Sequence, residues 1–400
     1  MRCIAVCLAA ACVCAAASAP DNPILDRIKA RVAENLLSLP NYTCAESVTR
    51  LQRRKSSRHF ELLDRLHLEV AFVEGKEMFG WRGAKRISET DPRRLVSGSG
   101  ALANGSFGLF AKGVFLTPDV EFSYQGAAVQ GGVKCERFSY RVPASASGYH
   151  LHVDPNDAVV GYHGSLWANA ETYDLIRLEV HADEIPDELG LSSANHDLEY
   201  APVDIGGSSF VLPRSSELML AESSGFESRN ETRFDTCRQY SGASSLSFVI
   251  PDEKVAPAPP VPVPEIELPA DFDMDVALVT RITGDSAVGD AVTARLVKKT
   301  KFLAKGAILT GYITRLHRDD GSYHVGIAFT DVDSSAGHAT LEGRQNALFA
   351  NLGLREFRWQ LGFRKNGPSD YGTLNIPGSK LNLKPGFHML IRSRAAESTD

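Results

Sequence analysis

Between Val159 and Leu220 apolar and polar residues alternate in short runs broken by turns: VVGYHGSLW, YDLIRLEVHA, HDLEYAPVDI, SSFVLP and SSELML. In YDLIRLEV, Ile176, Leu178 and Val180 fall on one face. Arg177, Glu179 and His181 fall on the other, which is the period of a half-buried strand. Gly206-Gly207 predicts a tight turn before SSFVLP. Comparable runs precede this block at YTCAESVTRLQRR, HLEVAFVEG, KEMFGWRG, VEFSYQG, KCERFSYRVP and GYHLHVD, and TRFDTCRQYS and SLSFVIP follow it. The expected fold class is therefore mainly β: a curved antiparallel half-barrel sheet with one apolar face.

Two stretches break the alternation. In residues 23–38, PILDRIKARVAENLLS, the apolar positions Ile24, Ile28, Val32 and Leu36 recur every four residues, and Asp26, Arg27 and Glu34 lie opposite. That spacing predicts an amphipathic helix, which Pro40 ends. Residues 97–113, SGSGALANGSFGLFAKG, are glycine-rich with Phe107, Leu109 and Phe110 among them. They read either as an apolar flap over the concave face or as a surface loop anchored by aromatics.

Seven prolines lie between Pro251 and Pro269. Such a composition predicts an extended polyproline II spacer, with a boundary at 251–271. Beyond it, 272–396 reads as a small β-barrel-like domain, with strands at MDVALVTRIT, DAVTARLVK, AILTGYITRLHR, YHVGIAFTDV, HATLEGR and FHMLIRS, and a tail at 397–400. Asp319-Asp320-Gly321-Ser322 predicts a hairpin turn. The first domain spans 20–250.

The chain begins with Arg2, then the apolar run CIAVCLAAACVCAAA, then Ala17-Ser18-Ala19. This pattern predicts a secretory signal peptide over 1–19, too short for a membrane span. A lipid anchor on Cys12 is the alternative reading of the same run. The expected compartment is periplasmic or extracellular, with no transmembrane span in the mature chain. A formal net charge of −6 and no basic run longer than Arg53-Arg54-Lys55 argue against nucleic acid. Without the signal, Cys44, Cys135 and Cys237 remain. An odd count in an exported chain allows one internal bridge, expected between Cys44 and Cys237, with Cys135 a small buried residue.

No catalytic constellation emerges: G-x-S-x-G, HExxH, a phosphate-cradling loop and CxxC are all missing from the sequence. Gly284-Asp285-Ser286 reads as a strand-to-strand turn rather than a nucleophile elbow. His150-x-His152, with Asp154 and His163, reads as alternation on a solvated face rather than a zinc set. No metal or cofactor is expected. Phe79, Trp81, Phe107, Phe110 and Trp167 are the candidates to line an apolar ligand pocket, with ordinary core packing as the alternative.

The signal, the helix and the series Y-x-G-S-L-W … L-I-R-L-E … F-V-L-P resemble the LolA/LolB/RseB-like lipoprotein-carrier superfamily over roughly 22–250. That resemblance implies a helix-plugged half-open sheet that holds acyl chains or a lipoprotein. LPNYTC, RVP…SGY and CRQY are similar to segments of uncharacterised extracytoplasmic proteins of soil bacteria such as acidobacteria. VGDAVTARLVKKTKFLAKGAILTGYITRL resembles the β-barrel of TrbI-type conjugation proteins, with Ala304-Lys305 where that family has leucine- or isoleucine-proline. The expected function is a non-enzymatic envelope protein that binds an apolar ligand or lipidated partner. The alternatives are a structural or protein-interaction module of an envelope assembly, and an exported hydrolase.

Overall fold

The computed structural model describes residues 22–84, 87, 89–92, 95–96, 108–153, 155–240, 264–269, 272–319, 321–341, 347–349 and 373–392. The expected signal peptide, most of the expected spacer, Phe107, Asp154, Asp320, SLSFVIP and the tail lie outside them.

Helix α1 (Pro23–Ser38) starts where the sequence predicts. The Asn22 side chain accepts from the backbone N–H groups of Ile24 and Leu25, and a proline occupies the first turn. Ile28 and Val32 are buried, and Asn35 grips the backbone of Val211 from both sides, its amide donating to the carbonyl and accepting from the N–H at 2.8 Å each.

The strands of the first sheet are β1 (Tyr42–Arg53), β2 (Glu61–Val73), β3 (Lys76–Trp81), β4 (Glu121–Gln130) and β5 (Val133–Val142). A short hairpin follows, β6 (Tyr149–Val153) with β7 (Asn156–Val160), then β8 (Tyr162–Asn169) and β9 (Leu175–Ala182). The long strands β10 (Leu191–Ile205), β11 (Ser208–Glu222) and β12 (Glu227–Gln239) complete the set. Ten of these form one sheet in the order β3-β2-β1-β12-β11-β10-β9-β8-β5-β4, and β6–β7 stands apart. Because side chains alternate faces, directly opposed residues share a face. One such row crosses eight strands as Leu66, Val48, Thr232, Ser216, Leu198, Leu178, Leu166 and Phe138, all buried. A neighbouring row, Arg137, Trp167, Arg177, Glu199, Ser215 and Arg233, runs over the opposite, polar face.

A second helix, α2 (Leu109–Phe115), lies against the apolar face, with Phe110, Ala111, Val114 and Phe115 buried. The glycine-rich segment is thus helical over its last part, where apolar burial outweighs the poor helix propensity of Gly113.

The remaining strands are β13 (Asp273–Leu278), β14 (Ile282–Thr283), β15 (Ala291–Leu296), β16 (Ile308–Asp319) and β17 (Ser322–Ser334). They are followed by β18 (Gly337–Thr340), β19 (Ala347–Phe349), β20 (Thr373–Pro377), β21 (Asn382–Leu383) and β22 (His388–Arg392). They curl into a second antiparallel sheet, β18-β17-β16-β15-β13-β22-β19, with β20 on β17 and a small β14–β21 pair beside it. The expected turn joins β16 to β17, with Gly321 at φ +73°. Pro264 to Leu268 runs beside β18: His338 donates to Pro264 O at 2.8 Å and Ile266 to His338 O at 2.7 Å.

The two sheets share a core. Val48, Leu66, Leu68 and Val96 cluster with Val288, Ile313 and other side chains of the second sheet, and Trp81 stacks on Tyr312 with ring centroids 5.9 Å apart. β2 outruns β3, whose register ends at Leu68–Trp81, and Val288 takes the next place on the free edge. His67 donates to Val288 O at 2.7 Å, and Val288 to Arg65 O at 2.8 Å. Gly289 is indispensable there: its φ is +94°, and a Cβ would lie 2.0 Å from the His67 carbonyl oxygen. Gly289→Ala is expected to weaken this contact by about 1–3 kcal/mol and to shift Trp81 fluorescence to the red. Unchanged emission and melting temperature would show that the bridge is dispensable.

Candidate functional site

The concave face of the ten-stranded sheet is the candidate site, and α2 sits at its centre. The Phe110 ring stands edge-on to Tyr149 at 5.2 Å and to Tyr162 at 6.1 Å, and lies 4.8 Å from His196. Aromatic pairs prefer such tilted contacts because the positive ring edge meets a negative face. Gly113 lets the helix settle, since a Cβ there would lie 2.4 Å from the Tyr162 hydroxyl. At the helix start, Gly108 N–H donates to Glu77 Oε1 at 2.9 Å, and Lys112 Nζ lies 5.4 Å from the centre of the Phe72 ring. A narrow cleft between α1 and α2 is lined by Val32, Ala111, Leu175, Tyr200 and Val211, with Arg31 bonded to Asp174 at its rim at 2.7 Å.

This face is apolar but not inert. Glu46 projects from β1 between Leu68 and Phe234, and burial, reinforced by Glu77, pushes its carboxyl up to about 8. Burial alone depresses the His196 imidazole to about 3, so it is neutral at physiological pH. Burial likewise raises the phenols of Tyr42, Tyr149 and Tyr200 far above their ordinary value, and that of Tyr162 to about 12. Glu46 Oε2, Tyr149 OH, His196 Nδ1 and Tyr200 OH are buried without a hydrogen-bond partner. A buried polar atom left unpaired costs about 1–3 kcal/mol, so four together need an explanation.

The structure does not gather the five aromatics singled out from sequence. Phe110 occupies the centre of the nest. Phe79 is buried in an adjoining cluster with Tyr42, Val70, Phe72 and Phe234. Trp81 is turned toward the second sheet, and Phe107 lies outside the described residues. Trp167 lies on the opposite face, between the guanidiniums of Arg137 at 4.9 Å and Arg177 at 5.2 Å, so it does not line the concave face. The parity of Tyr162, Gly164 and Leu166 carries that information, because Trp167 is one residue out of phase. Tyr149, Tyr162 and His196 were missed. Their only sequence signal is a polar-tipped residue at an inward position.

Cys44 and Cys237 are bridged and Cys135 is a free buried thiol, as expected. Ser286 accepts from Thr283 N–H at 3.1 Å within a turn. His150 and His152 face Asp157 across the β6–β7 hairpin at 3.4 and 3.6 Å, and His163 belongs to a different place in the sheet. Among the described residues no helix is long and apolar enough to cross a membrane.

No family model and no curated protein matches the chain. Two solved structures are similar to it. A domain from Vibrio parahaemolyticus assigned to outer membrane lipoprotein sorting is 12% identical, over 55% of this chain and 92% of that one, with a TM-score of 0.30. A DUF1329 family protein from Desulfovibrio piger ATCC 29098 is 11% identical, over 56% of this chain and 96% of that one, with a TM-score of 0.29. At these levels neither likeness bears on what the chain binds.

Proposed function

We propose that this is an exported, non-enzymatic envelope protein that binds an apolar ligand or a lipidated partner on the concave face of its first sheet, with α2 occupying the site in the unliganded chain. One observation carries the reading. A short helix inserts Phe110 into a nest whose floor holds buried, unpaired polar atoms, an arrangement that suits an amphiphile better than a permanent core. An apolar chain would replace the Phe110, Val114 and Phe115 side chains, and its polar end would pair with Tyr200, His196 or Glu46. Phe79 and Phe110 are the aromatics from the sequence reading that this site would use. Nothing in the reading requires a nucleic-acid surface or a reaction centre.

Native mass spectrometry of the mature protein from an exporting host, with organic extraction, tests the ligand. A co-purifying lipid or acylated peptide is expected. Gly113→Ala, whose added methyl would clash with the Tyr162 hydroxyl and force α2 away from it, should raise that occupancy several-fold. A clean apo mass for both proteins would overturn the reading and favour the protein-docking alternative.

A further inference from the structure

The polar face of the sheet carries a histidine pair that the concave site does not use. His163 on β8 and His181 on β9 are directly opposed in the antiparallel register. Directly opposed residues hold their Cβ atoms about 4.5–5.5 Å apart, and the two rings lie 5.4 Å apart, centroid to centroid, tilted by 39°. Each ring is tied back at the same nitrogen. His163 Nδ1 meets Asp183 Oδ1 at 2.5 Å, and His181 Nδ1 meets Asn195 Oδ1 at 2.9 Å. Both acceptors are oxygens without a hydrogen, so in the neutral imidazole the proton sits on Nδ1 and the lone pair on Nε2. An imidazole whose Nδ1–H donates to a carboxylate or amide oxygen has the tautomer and orientation that metal ligation requires.

The surroundings fit a cation. Asp183 has a side chain only 16% exposed, whereas the His163 side chain is 53% exposed and open to solvent. Arg141, the cross-strand neighbour of His163, is turned toward Asp183 at 3.4 Å and Glu184 at 3.7 Å, which balance its charge. Among the described residues no group of three or more His, Cys, Asp or Glu side chains is placed to hold an ion, so an ion here would have two protein ligands. The other opposed pair, His317 and His324, stacks nearly parallel at 16°, and burial, aided by His324 and Arg315, depresses His317 to about 4. It offers no comparable tie-back.

We infer that His163 and His181 form a two-imidazole surface site for a divalent transition metal ion of the zinc, copper or nickel class, with Asp183 and Asn195 as its positioning residues. Imidazole nitrogen suits these ions, and two protein ligands leave positions open to water. The site lies on the face opposite the concave one, so its failure leaves the ligand-binding proposal untouched.

Calorimetric titration of the full mature chain with Zn2+ at pH 7.5 tests it. One equivalent should bind. His163→Asn and His181→Asn should each lose that equivalent, the paired variant His150→Asn/His152→Asn should retain it, and Asp183→Asn should weaken it about tenfold or more, the usual cost of removing an orienting partner. All four variants alter exposed or partly exposed positions, and circular dichroism checks their folding. Absence of binding in the parent chain, or binding that survives both single His→Asn variants, would overturn the site. So would loss only in the hairpin variant.

Discussion

Removing the bridge by Cys44→Ala with Cys237→Ala should lower stability by about 5 kcal/mol in the chain-entropy account of a loop this long, and should drop the melting temperature by more than about 10 °C. The two cysteines are 193 residues apart in sequence and join β1 to β12, the first and last strands of the sheet in chain order. The bridge therefore ties together the pair whose meeting costs the unfolded chain the most entropy. It also sits where the register slips between Thr43 and Ala45, beside Thr236 at φ +51°, so the ladder is interrupted locally at the bridge. Thermal unfolding of the double variant against the parent gives the difference, and a non-reduced peptide map gives the linkage. A fall of under about 1 kcal/mol would mean that the ladder alone closes the sheet.

Glu46→Gln should instead stabilise, by about 3 kcal/mol at pH 7. The carboxyl is buried and its folded pKa of about 8 lies well above its ordinary 4.5, and each unit of difference is worth about 1.4 kcal/mol. The sign follows from proton counting. Between pH 4.5 and 8 the folded state keeps the Glu46 proton and the unfolded state releases it, so stability falls as pH rises through that window. His196 acts in the opposite sense. Its folded value of about 3, against 6.5 unfolded, makes stability fall as pH drops from 6.5 toward 3. The parent should therefore be most stable between about pH 4.5 and 6.5, where the two slopes cancel. Glu46→Gln should remove the alkaline flank and turn the plateau into a rise that ends near pH 6.5, the His196 dependence alone. Urea midpoints at pH 5, 7 and 8 decide it: a variant gain that does not grow with pH would show that Glu46 is not held neutral.

How far the sequence could be read depended on whether one periodicity dominated each stretch. Residues 23–38 carry a clean four-residue stripe and a proline stop, and α1 has the expected bounds. The strands around Val159 to Leu220 alternate cleanly, and the Cys44–Cys237 pairing followed from the expectation that first and last strands meet. The site was less legible. Leu166, Trp167 and Ala168 are three apolar residues in a row, so composition could not say which face Trp167 takes, and two arginines cover it on the polar side. α2 was hidden because glycines before and inside it argue against a helix, and tertiary burial of four residues overrules them. β19 and β21 were not recognised because they are only three and two residues long, too short for an alternation to be counted, and the five-residue alternation of β20 was missed.

The Val288 contact has a consequence for how such a chain reaches its final state. The edge of β2 is completed by a residue more than two hundred positions downstream, and β1 itself waits for β12. Synthesis proceeds from the N-terminus, so the first strands emerge long before their partners. During that interval the backbone groups of Arg65 and His67 that Val288 will take are unpaired, a template for pairing with another nascent chain. Contacts of such long sequence separation also form slowly. A chain cut after residue 240 would keep that edge bare permanently. The second sheet thus acts, in folding terms, as a late-arriving guard against self-association as well as a neighbour in the finished molecule.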